Sequence, residues 1–496
     1  MRRRWVVAAV AIVAGYLLSR ALFVTRFPYF LDEGTYAVFT YKAAHSLHDL
    51  FISFTIAREP LMFWLGIPWV KLGFNPLHAV RIVSVIAGLL TLVVIGLLGR
   101  RLGGTLVGFV AAALCVVLPF FVVHDGIGII EPLVTLVMAA ALYLQIEYAR
   151  RPEMRLALLL GLTLAAGVLT KENTKPSLAL VPLSLLCLDW SEEGRRERLI
   201  AWLRGIAVAA AMVVGAYLLL HASSRWPEFE KARHNPLLYT VRPLGDVITD
   251  PFGAIGPAWH AYHPAFSGYV TLPLIAVALA GAVLALRTRW RITVVLLAWI
   301  LVPLTVSLLF STAPFPRHVM YLLPPGIVLA AYGFVEGWRW AQRALPARWA
   351  LAAVAAVSFV LLIPALLLDA RVLAHPASTR YPGLDDLQYV TGTGGGTPWP
   401  SMADEIRARA RGRTVYILAP SAYTQVLEML LGPSPRYQVL LGTDPRAKQA
   451  QFAVNDQIPF LDATASRVSH DLAFKPILRY QRPRGGATAT LFAAPR

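Results

Sequence analysis

Cysteine is nearly absent from this chain: there are two in 496 residues, Cys115 and Cys187, each inside an apolar run. That argues against a disulfide framework and reads both thiols as small buried hydrophobes. No Cys-x-x-Cys pair, His/Cys cluster or haem motif occurs, and no Walker sequence, so ATP is not the evident energy source. Charge is also scarce, at 15% of residues against 57% hydrophobic, which excludes an ordinary soluble domain. With a mean hydropathy of +0.58, the chain reads as a polytopic membrane protein. Acid is scarcer than base, 28 Asp and Glu against 46 Lys and Arg, for a net charge of +18. That excess does not point to nucleic acid, because most arginines lie in short loops between apolar runs, where they set topology.

What is present is a series of apolar runs near the ~20 residues a membrane span needs. They fall at 5–24, 79–99, 105–122, 130–148, 155–170, 175–190, 200–221, 268–286, 292–311, 318–337 and 349–369. The fold class expected is a polytopic α-helical membrane protein with about 11–13 transmembrane helices. The first run, after Arg2-Arg3-Arg4, reads as an uncleaved anchor. With the N-terminus inside, every cytoplasmic segment of the membrane domain carries an arginine cluster, from Arg2–Arg4 to Arg339-Arg343-Arg348. The opposite loops are poorer in base. Pro60–Gly73 is too short to cross and reads as an interfacial helix in the first outer loop. After residue 370 the composition turns soluble. The expected division is 1–370, a transmembrane domain, and 371–496, a small extracytoplasmic α/β domain. Its expected elements are a strand at Thr414–Leu418, a helix at Tyr423–Leu431, a strand at Tyr437–Leu441 and a hairpin from Ile477–Gln481 and Ala487–Phe492.

The informative residues are the charges on the outer side. Asp32-Glu33 follows the first span; Asp32 reads as a helix N-cap or as a general base that takes a proton from an attacking hydroxyl. Arg58-Glu59-Pro60 closes the same loop, with Arg58 either snorkelling to lipid phosphate or clamping a phosphate leaving group. Glu131-Pro132 opens a span and suits a helix N-terminus. Lys171 and Arg317-His318 depart from the positive-inside pattern. His260-x-x-His263 with Glu59 is a candidate metal set on spacing alone, and no divalent metal is required. Gly394-Gly395-Gly396 lacks the context of a phosphate loop and reads as a flexible connector.

In order along the first 340 residues, these segments resemble the GT-C glycosyltransferases of glycosyltransferase family 39, relatives of the protein O-mannosyltransferases and lipid A aminoarabinose transferases. The matching pieces are Leu31–Ala37, Arg58-Glu59-Pro60-Leu61 with Trp64 and Lys71-Leu72-Gly73, Arg81 with Gly99–Leu102, Glu131-Pro132-Leu133, Leu169-Thr170-Lys171, and Arg317-His318 with Leu323-Pro324-Pro325. The resemblance implies a sugar donor linked to polyprenyl monophosphate, used on the non-cytoplasmic face of the plasma (inner) membrane. It implies Asp32 as catalytic aspartate with Glu33 as its partner, and Arg58, Lys171 and Arg317 as donor-phosphate ligands. Glu59, Tyr36, Glu131 and His318 would support the substrate from around them. No cofactor is implied, and the acceptor would be a protein, glycan or lipid hydroxyl. Glu131 stands where relatives often have Asp, and Arg58-Glu59-Pro60 replaces His-Pro-Pro or Glu-Lys-Pro. The rival reading, a transporter or flippase for a lipid-linked sugar, expects charges in mid-span, whereas here nearly every charge lies at a span end.

Overall fold

The computed structural model describes residues 2–235, 241–419, 421–432, 434–456 and 473–495. The membrane unit runs α1 (Arg2–Val24), α2 (Leu31–His45), α3 (Leu61–Lys71), α4 (Pro76–Gly103), α5 (Thr105–Val117) and α6 (Pro119–Asp125). It continues with α7 (Glu131–Arg150), α8 (Met154–Val168), α9 (Pro176–Leu180), α10 (Arg195–His221), α11 (Trp226–Arg233) and α12 (Leu244–Thr249). It closes with α13 (Ile255–Ala265), α14 (Leu272–Phe310), α15 (Leu323–Ala344) and α16 (Ala347–Ala374). Among the described residues, seven helices are long and apolar enough to cross a bilayer, or eight if α5 and α6, bent by 62°, form one broken span.

That count is below the expected eleven, for local reasons. The run at 175–190 does not make one helix: Pro176 and Pro182 divide it into α9 and a 3-10 segment, Val181–Cys187. The run at 155–170 becomes the 15-residue α8. The runs at 268–286 and 292–311 share α14, whose backbone breaks at Arg289 (φ −139°, ψ 39°). The chain crosses and returns there. Tyr269, just before α14, bonds Asp385 and Phe310 lines the cavity that holds Lys171, while Arg289 shares a cavity with Arg150 at the far end of α7. α3 is 11 residues long, too short to span, as expected of Pro60–Gly73.

The C-terminal unit holds α17 (Trp399–Ala410), β1 (Val415–Leu418), α18 (Ser421–Leu431), β2 (Tyr437–Leu440), β3 (Phe452–Asp456), β4 (Lys475–Gln481) and β5 (Thr488–Ala493). The sheet order is β2-β1-β3-β5-β4, parallel across β2-β1-β3 and antiparallel across β3-β5-β4. Alternate residues Ile417, Val454 and Leu491 bury against Trp399, Ile406 and Leu427 of the two helices. The unit is seated directly on α2. A Cβ on Gly34 would fall 2.3 Å from Val426 Cγ2, so only glycine admits α18 this closely. Gly396 is packed rather than loose, since a Cβ there would fall 1.5 Å from the Tyr29 carbonyl oxygen; the expected flexible connector is a close backbone crossing.

Candidate active site

Asp32 and Glu33 are consecutive in the first turn of α2, and Phe30, not Asp32, is the N-cap. Consecutive helical side chains diverge by about 100°, so the pair divides. Asp32 faces a cavity, its side chain about one third exposed (34%). Glu33 turns inward and is fully buried. Its Oε1 accepts from Arg81 Nε (2.7 Å) and the Gly128 N–H (2.7 Å), and its Oε2 from Arg81 Nη2 (2.9 Å) and the Phe30 N–H (2.6 Å). Buried Arg81 also donates to the carbonyls of Val24, Phe27 and Pro28. The expected catalytic partner of Asp32 therefore sits outside the cavity and fixes the angle of α2 instead, with every oxygen engaged.

Arg317 reaches Asp32 from the 3-10 turn Pro316–Leu322, its Nη2 2.8 Å from Asp32 Oδ2. Its Nη1 donates to Gln388 Oε1 at 2.7 Å, and its guanidinium lies over the Phe30 and Phe315 rings. Its Nε is 3.8 Å from Glu131 Oε1. Glu131, the first residue of α7, accepts from Lys171 Nζ at 2.8 Å and has His318 Nε2 at 3.8 Å. Burial pulls the Lys171 ammonium below its ordinary value, and Glu131 pushes back. Asp32, Arg317, Glu131 and Lys171 thus form one alternating chain of charges drawn from four distant segments.

Two cavities flank this chain. The smaller, about 270 Å³, is lined by Arg58, Glu59, Lys171, Lys175 and His318 with apolar Val306 and Phe310. The larger, about 890 Å³, is lined by Asp32 and Arg317, by Arg380 and Gln388, and by the glycine-rich edges Gly392–Gly394 and Arg484–Gly486. Arg482, buried, braces that rim by donating to the carbonyls of Gly395 (3.0 Å) and Thr393 (3.2 Å).

Of the expected residues, the structure brings Asp32, Arg317, Glu131, Lys171 and His318 together and sets Arg58 and Glu59 in the cavity next to them. Tyr36 is buried one turn after Asp32, against Phe63, and burial raises its hydroxyl. His260 and His263 are exposed on α13 whereas Glu59 is buried, and among the described residues no three of His, Cys, Asp and Glu group as metal ligands. Lys175 and Gln388 went unread in the sequence. Lys175 falls within the run 175–190, at its outer end, where a second cation against the positive-inside pattern was visible, while a neutral glutamine carries no such signal.

Residues 57–218 match the family described as dolichyl-phosphate-mannose-protein mannosyltransferase. No curated protein matches the chain by sequence. The structure is similar to that of ArnT from Cupriavidus metallidurans in the apo state, with TM-score 0.64 and 16% identity over 98% of this chain and 99% of that one. ArnT from the same organism bound to undecaprenyl phosphate gives 0.59 and 17% over 99% of each chain. The archaeal oligosaccharyltransferase AglB from Archaeoglobus fulgidus, in complex with an inhibitory peptide and a dolichol-phosphate, gives 0.53 and 12% over 90% of this chain and 69% of that one. This multi-pass membrane protein therefore has the fold of the GT-C glycosyltransferase ArnT over its whole length, and its residues 57–218 carry the pattern of the mannosyltransferase family.

Proposed function

We propose that the protein transfers a sugar from a polyprenyl-monophosphate donor to a hydroxyl acceptor, with inversion, on the non-cytoplasmic face of the plasma membrane. One observation carries the reading: the candidate base and Lys171, with Arg58 and Lys175 beside it, lie at opposite ends of one charge chain, with a cavity at each end. In-line displacement needs that arrangement, because the nucleophile enters from one side of the anomeric carbon and the phosphate leaves from the other. In the small cavity Arg58, Lys171 and Lys175 hold the donor phosphate and stabilise the charge that builds as the glycosidic bond breaks. In the large cavity Asp32, oriented by Arg317, removes the acceptor proton during attack. Arg317 lies between the two and faces the sugar. The step balances as loss of the C–O bond to phosphate, gain of a C–O bond to the acceptor, and a proton delivered to Asp32. No metal is needed for a leaving group that already meets three cations.

Asp32→Asn keeps the shape and the Arg317 contact but removes the base. It is expected to lower the turnover of a radiolabelled polyprenyl-phosphate sugar by ~10²–10⁴ while donor binding persists. Normal turnover in that variant overturns the assignment of the base, and translocation of intact donor without release of polyprenyl phosphate would favour the flippase.

A further inference from the structure

The turn from α6 into α7 gathers buried polar contacts from all over the chain. Asp125 accepts from Tyr16 OH (3.0 Å) and Arg20 Nη2 (3.3 Å) of α1. Gly128 donates to Glu33, and Glu131 binds Lys171. His124 reaches out of the membrane unit: its Nε2 lies 3.1 Å from Oδ2 of Asp385, in the segment leading to the C-terminal unit, and both residues are fully buried.

The orientation of this pair follows from its neighbours. His124 Nδ1 is 2.8 Å from the Phe120 carbonyl oxygen, which only accepts, so Nδ1 carries a proton. Nε2, the other ring nitrogen, is turned to Asp385 Oδ2 at ion-pair distance, 3.1 Å. The Tyr269 hydroxyl donates to the same Asp385 oxygen at 2.8 Å, which ties in the start of α14. Asp385 is thereby held from two sides of the bundle.

Asp385 stands three residues before Gln388, within one helical turn closed by the Gln388 N–H on the Leu384 carbonyl (2.9 Å). Gln388 holds Arg317, and Arg317 holds Asp32. Tyr389, buried beside them, meets Phe30 edge to face at 5.0 Å and lies 6.1 Å from the His124 ring. A shift of Asp385 is therefore passed through this turn to the guanidinium on the candidate base.

We propose that His124 and Asp385 are positioning residues for transfer: their buried pair fixes the 385–389 turn so that Gln388 keeps Arg317 on Asp32. The proposal rests on the glycosyl-transfer reading for its catalytic consequence, but the ordering of the turn does not depend on that reading. The test uses the full-length protein in nanodiscs as wild type, Asp385→Asn, His124→Gln, the double variant and Gln388→Leu. The last breaks the relay at its partly exposed end without touching the buried pair. Expected is a fall in kcat of ~10–100-fold in each single variant, as for small misplacements, with donor KM within about twofold. The double variant is expected to be no worse than the poorer single one, because the two residues act as a unit. Amide exchange over 385–394 should quicken in Asp385→Asn while 131–150 stays unchanged. Full kcat in Asp385→Asn or Gln388→Leu overturns the proposal, as does exchange that quickens throughout the chain, which marks a merely structural role. If wild type releases no polyprenyl phosphate from any donor, the transferase reading fails and amide exchange alone decides this one.

Discussion

At the scale of single residues, Glu59 shows how the small cavity handles charge. Burial, then the neighbouring Glu172 carboxylate, push Glu59 up to about 7 against the pull of Lys175 and Arg58. A carboxylate raised in the folded state binds its proton more tightly there than in the unfolded chain. Stability therefore falls as pH rises from the ordinary value of 4.5 through about 7, and is flat above. Glu59→Gln is expected to raise the stability at pH 8 by up to about 3 kcal/mol and to leave it unchanged near pH 4. Thermal unfolding in detergent at the two pH values checks this; equal gains at both would sink it. Asp32, Lys171 and Arg317 were legible in the sequence as candidates because each is a charge at a span end on the side that the arginine clusters avoid. Glu33 was misread because adjacency along a helix is not adjacency in space: one position turns a side chain from the cavity to Arg81. Asp385 and His124 were illegible as a pair, since 261 residues separate them and neither has a motif.

Elements were read with uneven success, and the misses have causes. The four expected strands and the expected helix of the C-terminal unit appear within a few residues of their places, because each short apolar run is bracketed by Gly or Pro, whereas the central strand β3 was not expected. α17 was missed: its turn-rich approach through Gly392–Pro400 hid a helix that begins at Trp399. Hydropathy counts apolar length but does not see helix continuity, which is why 175–190 looked like a span and is two short pieces. The contact of α18 with α2 carries its own prediction. Gly34→Ala places a methyl 2.8 Å from the Val426 backbone nitrogen, so α18 must move off the helix that bears Asp32. Overpacking of this kind costs about 1–3 kcal/mol, and transfer is expected to fall with it. Unfolding and turnover measured on one preparation test both effects; an unshifted unfolding midpoint would show that α18 yields without cost.

Across the whole molecule, the deep ion pairs on the Asp32 side join parts that are remote in sequence: Arg20 to Asp125, Arg81 to Glu33, Lys171 to Glu131. Breaking one such pair strands a charge, which typically costs about 3–5 kcal/mol. Arg81→Met is therefore expected to cut the yield of folded protein sharply, and adding Glu33→Gln to recover much of it, as read by size-exclusion chromatography in detergent. No rescue would mean that the three carbonyls bound to Arg81 matter more than the carboxylate. The division of the candidate site into a narrow chamber and a wide one, with the Arg317–Glu131 contact between them, also bears on timing. On the proposed transfer reading each substrate has its own doorway, so neither need depart before the other arrives, and steady-state kinetics are expected to follow a ternary-complex rate law with no glycosylated protein in between. By the same reading, water entering the wide chamber would reach Asp32 when no acceptor is bound, and slow wasteful hydrolysis of the donor is the expected hazard of this layout.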